Sequence, residues 1–324
     1  MKYRFDPELK PWISMLPELD IRDLSAARAL MHAVHSQTPF TLPDGVTMEA
    51  HIVRPDAGTP AVPVLVFSPT ATASDRAALV YMHGGGFVLG DADADKDLPA
   101  ALAAETGAVV VSVDYRLAPE HPFPAALDDC HAALVWVTEH AAELGIDTRR
   151  IGIGGVSAGA GLAAATALLA RDRKGPELCF QLLDVPELDD RLQTPSMREF
   201  TDTPLWNLPN AIESWDLYLG AVADRGTVSP YAAPARAADL SGLPPAYVGV
   251  CEFDPLRDEG IVYAQRLIQH GVPTELHVFP GAFHGSSGLI PTADLSRRMR
   301  TELIDALRRG LSGPVVHRRT EGKR

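Results

Sequence analysis

Eight short apolar runs alternating with helical stretches predict an α/β fold, in which one mostly parallel eight-stranded sheet is flanked by helices on both faces. Three observations carry the prediction. The runs are rich in Val, Ile and Leu over strand-like lengths, most are separated by enough chain for a helical crossover, and Gly or Pro punctuates the junctions. With 324 residues, 46% hydrophobic and 22% charged, the chain can bury a sizeable core without a metal or disulfide staple.

In chain order, Val46 to Arg54 suits an outer strand and Val64 to Phe67 a second. A third, Ala77 to Met82, leads straight into His83-Gly84-Gly85-Gly86. A helix is predicted from Asp93 to Thr106, with Gly107 placed as a left-handed cap, before a fully buried strand from Ala108 to Val113. The alternation continues with a helix over Ala125 to Leu144, a strand over Arg150 to Val156 and a helix over Ala158 to Arg171. Strands follow at Phe180 to Asp184, Ala246 to Cys251 and Glu275 to Phe279, with helices at Leu256 to His270 and Leu295 to Arg309. Ligands in such sheets bind beyond the carboxyl ends of the strands.

Two segments break the alternation. Residues 1–45 hold two expected amphipathic helices before any strand, and 185–225 interrupt the order with Trp206, Trp215 and Tyr218. Together they read as a helical cap on a catalytic body formed by 46–184 and 226–313, followed by a basic tail over 314–324 that we expect to be disordered.

The net charge of -13 repels phosphate backbones and anionic lipid surfaces, so neither nucleic acid nor membrane insertion is expected and a small molecule is the natural partner. Met1 to Leu16 carries charges and prolines where a signal peptide needs an apolar run, and no uninterrupted apolar stretch reaches about 18 residues. We therefore expect a cytoplasmic protein. Cys130, Cys179 and Cys251, odd in number and widely spaced, read as free thiols.

Chemistry enters at Gly155-Val156-Ser157-Ala158-Gly159, a G-x-S-x-G motif between a buried strand and a small-residue helix. A turn this sharp leaves no room for side chains beside the serine, whose hydroxyl then stands at a helix N-terminus, where N–H groups and the helix dipole favour an oxyanion. A glycine-rich packing turn is the structural alternative. The Gly84 and Gly85 N–H groups, in a loop that follows a strand, are candidate oxyanion donors together with that of Ala158.

A serine nucleophile needs a base, and the base an orienting carboxylate. The chain order nucleophile, acid, histidine selects Asp254, past the strand ending near Cys251, and His284, in the loop after the last strand. Glu252 is the rival acid; Asp258 and Glu259 suit the first turn of the next helix. His270, His277 and His317 fit structural or solvated positions. His32 and His35 have metal-ligand spacing, but no Asp, Glu or Cys nearby completes a site, so no metal or other cofactor is expected.

His83 to Phe87, Asp114-Tyr115-Arg116-Leu117-Ala118-Pro119-Glu120-His121-Pro122, Ser157 with its flanks and Asp254-Pro255-Leu256 together resemble the hormone-sensitive lipase family of bacterial esterases in the α/β-hydrolase superfamily. The resemblance runs from about residue 45 to 310. It implies a carboxylesterase acting on short to medium acyl esters without a cofactor, a helical cap over the site, and a homodimer formed in some members through the last strand. Val156 stands where the family commonly has Asp or Thr, and Ser286 where an aromatic residue commonly follows His-Gly, two departures that bear on substrate preference. Phe87, Val156, Trp206, Trp215 and Ser286 are candidate pocket residues, and the Asp114 to Pro122 segment reads as a rigid support for the oxyanion loop. A small-ligand receptor on the same fold, or an amidase or lactonase using the same triad, are the alternative functions. The presence of His284 favours catalysis over a receptor.

Overall fold

The computed structural model describes residues 2–312 except 38, 56–59, 72–73 and 221–224, with the side chains of 35–37 also outside the described set. The tail expected over 314–324 therefore lies outside the described residues, as does the His35 side chain.

Among the described residues eight strands form one sheet: β1 (Val46–Val53), β2 (Val62–Pro69), β3 (Arg76–Met82), β4 (Val109–Val113), β5 (Ile146–Val156), β6 (Phe180–Asp184), β7 (Ala246–Phe253) and β8 (Thr274–Phe283). Their order across the sheet is β1-β2-β4-β3-β5-β6-β7-β8. The β1–β2 and β2–β4 pairs are antiparallel and the rest parallel, the mostly parallel sheet that the alternation predicts. The central strands β3, from Ala77 on, and β4 are mostly apolar and buried on both faces, because helices cover them on each side.

The helices are α1 (Lys10–Ile13), α2 (Leu24–Gln37), α3 (Asp97–Thr106), α4 (Ala125–Glu139), α5 (Ala141–Leu144), α6 (Ala158–Arg173), α7 (Pro195–Glu199), α8 (Leu208–Leu219), α9 (Arg257–Gln269), α10 (Ser286–Leu289) and α11 (Asp294–Gly310). Several bounds differ from the sequence reading. The first of the two expected N-terminal helices is a single turn, α1, which Pro7, Pro11 and Pro17 hem in. Helix α3 starts four residues late, because the Asp91 carboxylate accepts from the Ala94 N–H and holds 91–95 as turns. The predicted Ala125 to Leu144 helix breaks at His140 into α4 and α5. Strand β5 starts at Ile146 and β8 continues through Pro280 and Gly281 to Phe283, four residues beyond expectation.

Two apolar clusters fill the two sides of the sheet, one beneath α4, α6 and α9, the other beneath α3 and α11. A separate cluster joins Leu19, Ile21 and Ala27 to Val88, Leu89, Met197, Trp206 and Ala211. It brings the two segments that break the β/α order against the glycine loop after β3. Asn210 clamps them: its carboxamide accepts from the Ile21 N–H at 3.2 Å and donates to the Leu19 carbonyl at 2.8 Å. No helix among the described residues is long and apolar enough to cross a membrane.

Candidate active site

Ser157 sits in the one-residue gap between β5 and α6, at φ 57° and ψ −122°, a left-handed conformation that L-residues rarely adopt. The close packing that the glycine spacing demands is present. A Cβ on Gly155 would lie 2.4 Å from the Met82 carbonyl oxygen, and one on Gly159 only 2.2 Å from it, so a side chain at either position would push β3 away from the turn. The Ser157 N–H donates to Asp184 at 2.9 Å, and its carbonyl accepts from Gly161 and from Glu187 at 3.0 and 3.1 Å. These bonds hold the strained residue from both sides.

The Ser157 Oγ lies 3.0 Å from His284 Nε2, and His284 Nδ1 lies 2.7 Å from Asp254 Oδ2. The carboxylate fixes the tautomer: Nδ1 carries the proton and donates to Asp254, leaving the Nε2 lone pair to accept from the serine hydroxyl. The other Asp254 oxygen accepts from the Leu256 N–H at 2.9 Å, which locks the carboxylate's rotation. All three side chains are buried. Glu252 does not join them. Its Oε2 accepts from the Gly281 N–H at 2.7 Å, tying β7 to the extended end of β8 that carries His284.

The glycine loop passes beside the serine, with the Gly84 Cβ direction 3.5 Å from Ser157 Cβ. Neither the Gly84 nor the Gly85 N–H donates to another group among the described residues. Ala158 occupies the first helical position of α6, where an N–H has no intrahelical acceptor. Gly86, at φ 58°, has no room for a Cβ, which would meet Trp206 at 2.4 Å and the Ser214 hydroxyl at 3.1 Å.

The Asp114 to Pro122 segment braces this loop, as its proline-bounded sequence suggests. Tyr115 stacks on His83 with ring centroids 4.2 Å apart and donates its hydroxyl to the His83 carbonyl at 2.8 Å. The Ala118 N–H donates to the Phe87 carbonyl at 3.0 Å. Burial lowers His83 to about 4, so the ring is neutral, and its Nδ1 donates to the Gly84 carbonyl at 2.8 Å.

A cavity of about 1640 Å³ opens over Ser157 and His284. Val156 and Trp206 line it, as do Leu205, Met31 and Leu289. The other three pocket candidates do not. Phe87 stacks on Tyr218 at 4.0 Å, Trp215 is wholly buried beside them, and the Ser286 side chain is buried at the start of α10. These three form the packing under the site, a correction to the sequence reading, which cannot tell a wall from its support.

Two acidic side chains beside the triad went unnoticed in the sequence. Burial pushes Asp184, which lines the cavity, up to about 7; the Asp254 charge adds to the rise and His284 opposes it. Burial likewise lifts Glu187, completely shielded from solvent, to about 8, against a hydrogen bond with Ser214 that lowers it and with Asp254 adding to the rise. Their one visible signal was position, Asp184 at the end of a buried strand and Glu187 just past it, where a solvated loop would be the ordinary reading of Asp-Val-Pro-Glu-Leu-Asp-Asp.

The α/β-hydrolase fold family Abhydrolase_3 matches residues 79–287. The chain is 42% identical over 284 residues to a carboxylesterase, NlhH, of Mycobacterium tuberculosis, spanning 86% of this chain and 88% of that protein. It is 32% identical over 304 residues to an arylesterase of Saccharolobus solfataricus, spanning 93% and 97%. Among solved structures, a bacterial heroin esterase superposes with a TM-score of 0.91 at 49% identity, covering 95% of this chain and 98% of that one.

Proposed function

This chain belongs to the hormone-sensitive lipase-like family of the α/β-hydrolase superfamily and is a carboxylic ester hydrolase, and from that premise we propose that Ser157, His284 and Asp254 are its catalytic triad. The observation that carries the proposal is the unbroken hydrogen-bonded line from Ser157 Oγ through His284 to Asp254, at 3.0 and 2.7 Å. In this reading His284 Nε2 takes the hydroxyl proton as Oγ bonds to the ester carbonyl carbon. The carbonyl oxygen becomes an oxyanion that accepts from the Gly84, Gly85 and Ala158 N–H groups. The imidazolium, stabilised by Asp254, then returns its proton to the departing alcohol, leaving an acyl group on Ser157. Water repeats the sequence to release the acid and free serine. Every proton moves between residues of this chain, substrate and water, so the proposed mechanism uses no cofactor.

We assign short to medium acyl esters as substrates, with residues 1–45 and 185–225 acting as the cap that bounds the acyl site. Leu205, Trp206 and Met31 on the cavity wall support this assignment, since they offer an apolar surface from both segments beside the serine. Two further assignments complete the reading. Three cysteines without disulfide partners fit a reducing cytoplasm, and β8, which among the described residues pairs with β7 alone, leaves an edge through which two copies could join as a homodimer.

A panel of p-nitrophenyl esters from acetate to decanoate, with a p-nitroanilide and a lactone of matched size, tests the class. The expected result is the highest kcat/KM among the short to medium esters, with the anilide far slower. Hydrolysis of the anilide or lactone without turnover of any ester would assign the site to amidase or lactonase chemistry.

A further inference from the structure

We propose that Glu187 is a positioning residue that, in its protonated form, holds the glycine loop through Ser214 and so keeps the oxyanion donors aligned. The inference rests on the triad reading above and goes beyond it, because the Glu187 carboxyl bonds to no triad side chain and does not line the cavity.

The observations concern three elements that meet behind Ser157. The Glu187 backbone N–H donates to the Ser157 carbonyl at 3.1 Å, anchoring the residue to the elbow. Gly161 on α6 admits it at close range, since a Cβ there would lie 2.2 Å from the Glu187 carbonyl oxygen. Its carboxyl Oε1 is 3.3 Å from the Ser214 hydroxyl on α8, which itself is 2.9 Å from the Gly86 carbonyl oxygen. The second carboxyl oxygen is buried and has no hydrogen-bond partner in the described structure.

Counting protons gives this arrangement two states. Ser214 owns a single hydroxyl proton but faces two acceptors when Glu187 is ionised. With the carboxyl protonated, Glu187 donates to Ser214 and Ser214 donates to the Gly86 carbonyl, so every bond in the chain is satisfied. When the carboxyl loses its proton, the carboxylate competes for the Ser214 proton and the Gly86 carbonyl loses its donor. A charged acceptor in a buried site wins that competition. Gly86 directly follows the two proposed donors, Gly84 and Gly85, so releasing its carbonyl frees the peptide planes that aim them.

The titratable groups facing Glu187 are Asp254 after β7, Glu259 on α9 and Tyr218 on α8. Burial pushes both Glu259 and Tyr218 upward, and the Asp254 charge opposes ionisation of Glu187. The protonated state with aligned donors is therefore the one present at neutral pH, and it gives way as pH rises past about 8.

The test is kcat and KM for p-nitrophenyl acetate from pH 6 to 10, with circular dichroism at each pH, for the wild-type protein, Glu187→Gln and Ser214→Ala. In the wild type, kcat should fall about tenfold or more between pH 7 and 9.5 while the fold persists. Glu187→Gln keeps a donor to Ser214 that cannot ionise, so its kcat should stay within about threefold of wild type at pH 7 and remain level to pH 9.5. Ser214→Ala should lose about tenfold in kcat with little change in KM, and its remaining activity should no longer respond to the ionisation of Glu187. An alkaline fall retained in Glu187→Gln overturns the proposal, as does a wild-type fall that tracks loss of the folded signal. The two levels of the argument separate cleanly: absence of ester turnover at every pH refutes the triad reading, whereas turnover with an unaltered alkaline limb refutes the role of Glu187 alone.

Discussion

The elbow and the proposed cap line the same cavity, yet they are built by different rules. At the elbow, backbone approaches backbone: the Met82 carbonyl, Gly155 and Gly159 leave no space for a Cβ, and Ser157 takes a backbone conformation that its neighbours must hold. At the cap, side chains pack on side chains, with Trp206, Leu205, Leu19 and Ile21 in one cluster. Steric exclusion of the first kind admits one residue type per position, whereas apolar packing of the second kind admits many. The elbow should therefore fail through chemistry when altered, and the cap through selectivity or stability.

Ser157→Ala draws that contrast most sharply. Removing a lone hydroxyl contributes little to packing, so the fold should persist while ester hydrolysis falls by up to about a millionfold. Near-normal turnover in the folded variant would remove Ser157 from the reaction.

Next in size is the orienting acid. Asp254→Asn should lower kcat by about ten-thousandfold, because an amide whose oxygen stays on the Leu256 N–H turns its NH2 donor toward Nδ1, so the imidazole takes the wrong tautomer and the imidazolium loses its counter-charge. Glu252→Gln alters only the tie between β7 and Gly281 and should cost far less. A reversed ranking of the two variants would transfer the acid's role to Glu252.

Within the cap, the two tryptophans should part company. Trp215→Ala opens a void among Phe87, Tyr218 and the sheet, and should cost about 3 to 5 kcal/mol in unfolding free energy with selectivity unchanged. Trp206, whose ring centroid is 6.0 Å from that of His284, lines the cavity, so Trp206→Ala should shift the ratio of kcat/KM between long and short esters more than it changes stability. An unchanged ratio would reduce Trp206 to packing.

The smallest effect is on stability against pH. Asp184 and Glu187 are raised to about 7 and about 8, so the folded protein keeps protons that the unfolded chain gives up near ordinary carboxyl values. Their contribution is complete in acid and is lost as pH rises through the folded values. The protein should lose about 4 kcal/mol of stability between pH 6 and 9 from these two groups, read as a falling Tm. The double variant Asp184→Asn, Glu187→Gln should flatten that dependence, and an equal slope in both proteins would contradict it.

What the sequence disclosed follows the same division. That Ser157, His284 and Asp254 meet, with the Gly84 and Gly85 loop beside them, was legible because strand-end position, chain order and glycine spacing each reflect a steric or chemical demand with few solutions. Chain order selected Asp254 over the rival Glu252, and in the structure the first bonds to His284 and the second to Gly281. The reach of β8 to Phe283 was hidden because Pro280 and Gly281 read as a strand terminator, yet at the sheet edge Pro280 needs no ladder donor on its free side. Phe87, Trp215 and Ser286 were misplaced on the wall for a related reason: composition reveals an apolar residue but not the direction it faces. Glu187 was hidden most thoroughly, since nothing in an acidic loop announces that its carboxyl will be buried against a hydroxyl.

The most direct test of the central claim is covalent trapping of the nucleophile. The protein is incubated with diethyl p-nitrophenyl phosphate, a phosphoryl ester that reacts with activated serines, and its intact mass and digested peptides are measured. One diethylphosphoryl group per chain, located on Ser157 and formed in step with loss of esterase activity, is the predicted result, with no adduct on His284→Ala at the same exposure. Modification of a different serine as activity disappears, or full inactivation with Ser157 unmodified, would contradict the triad.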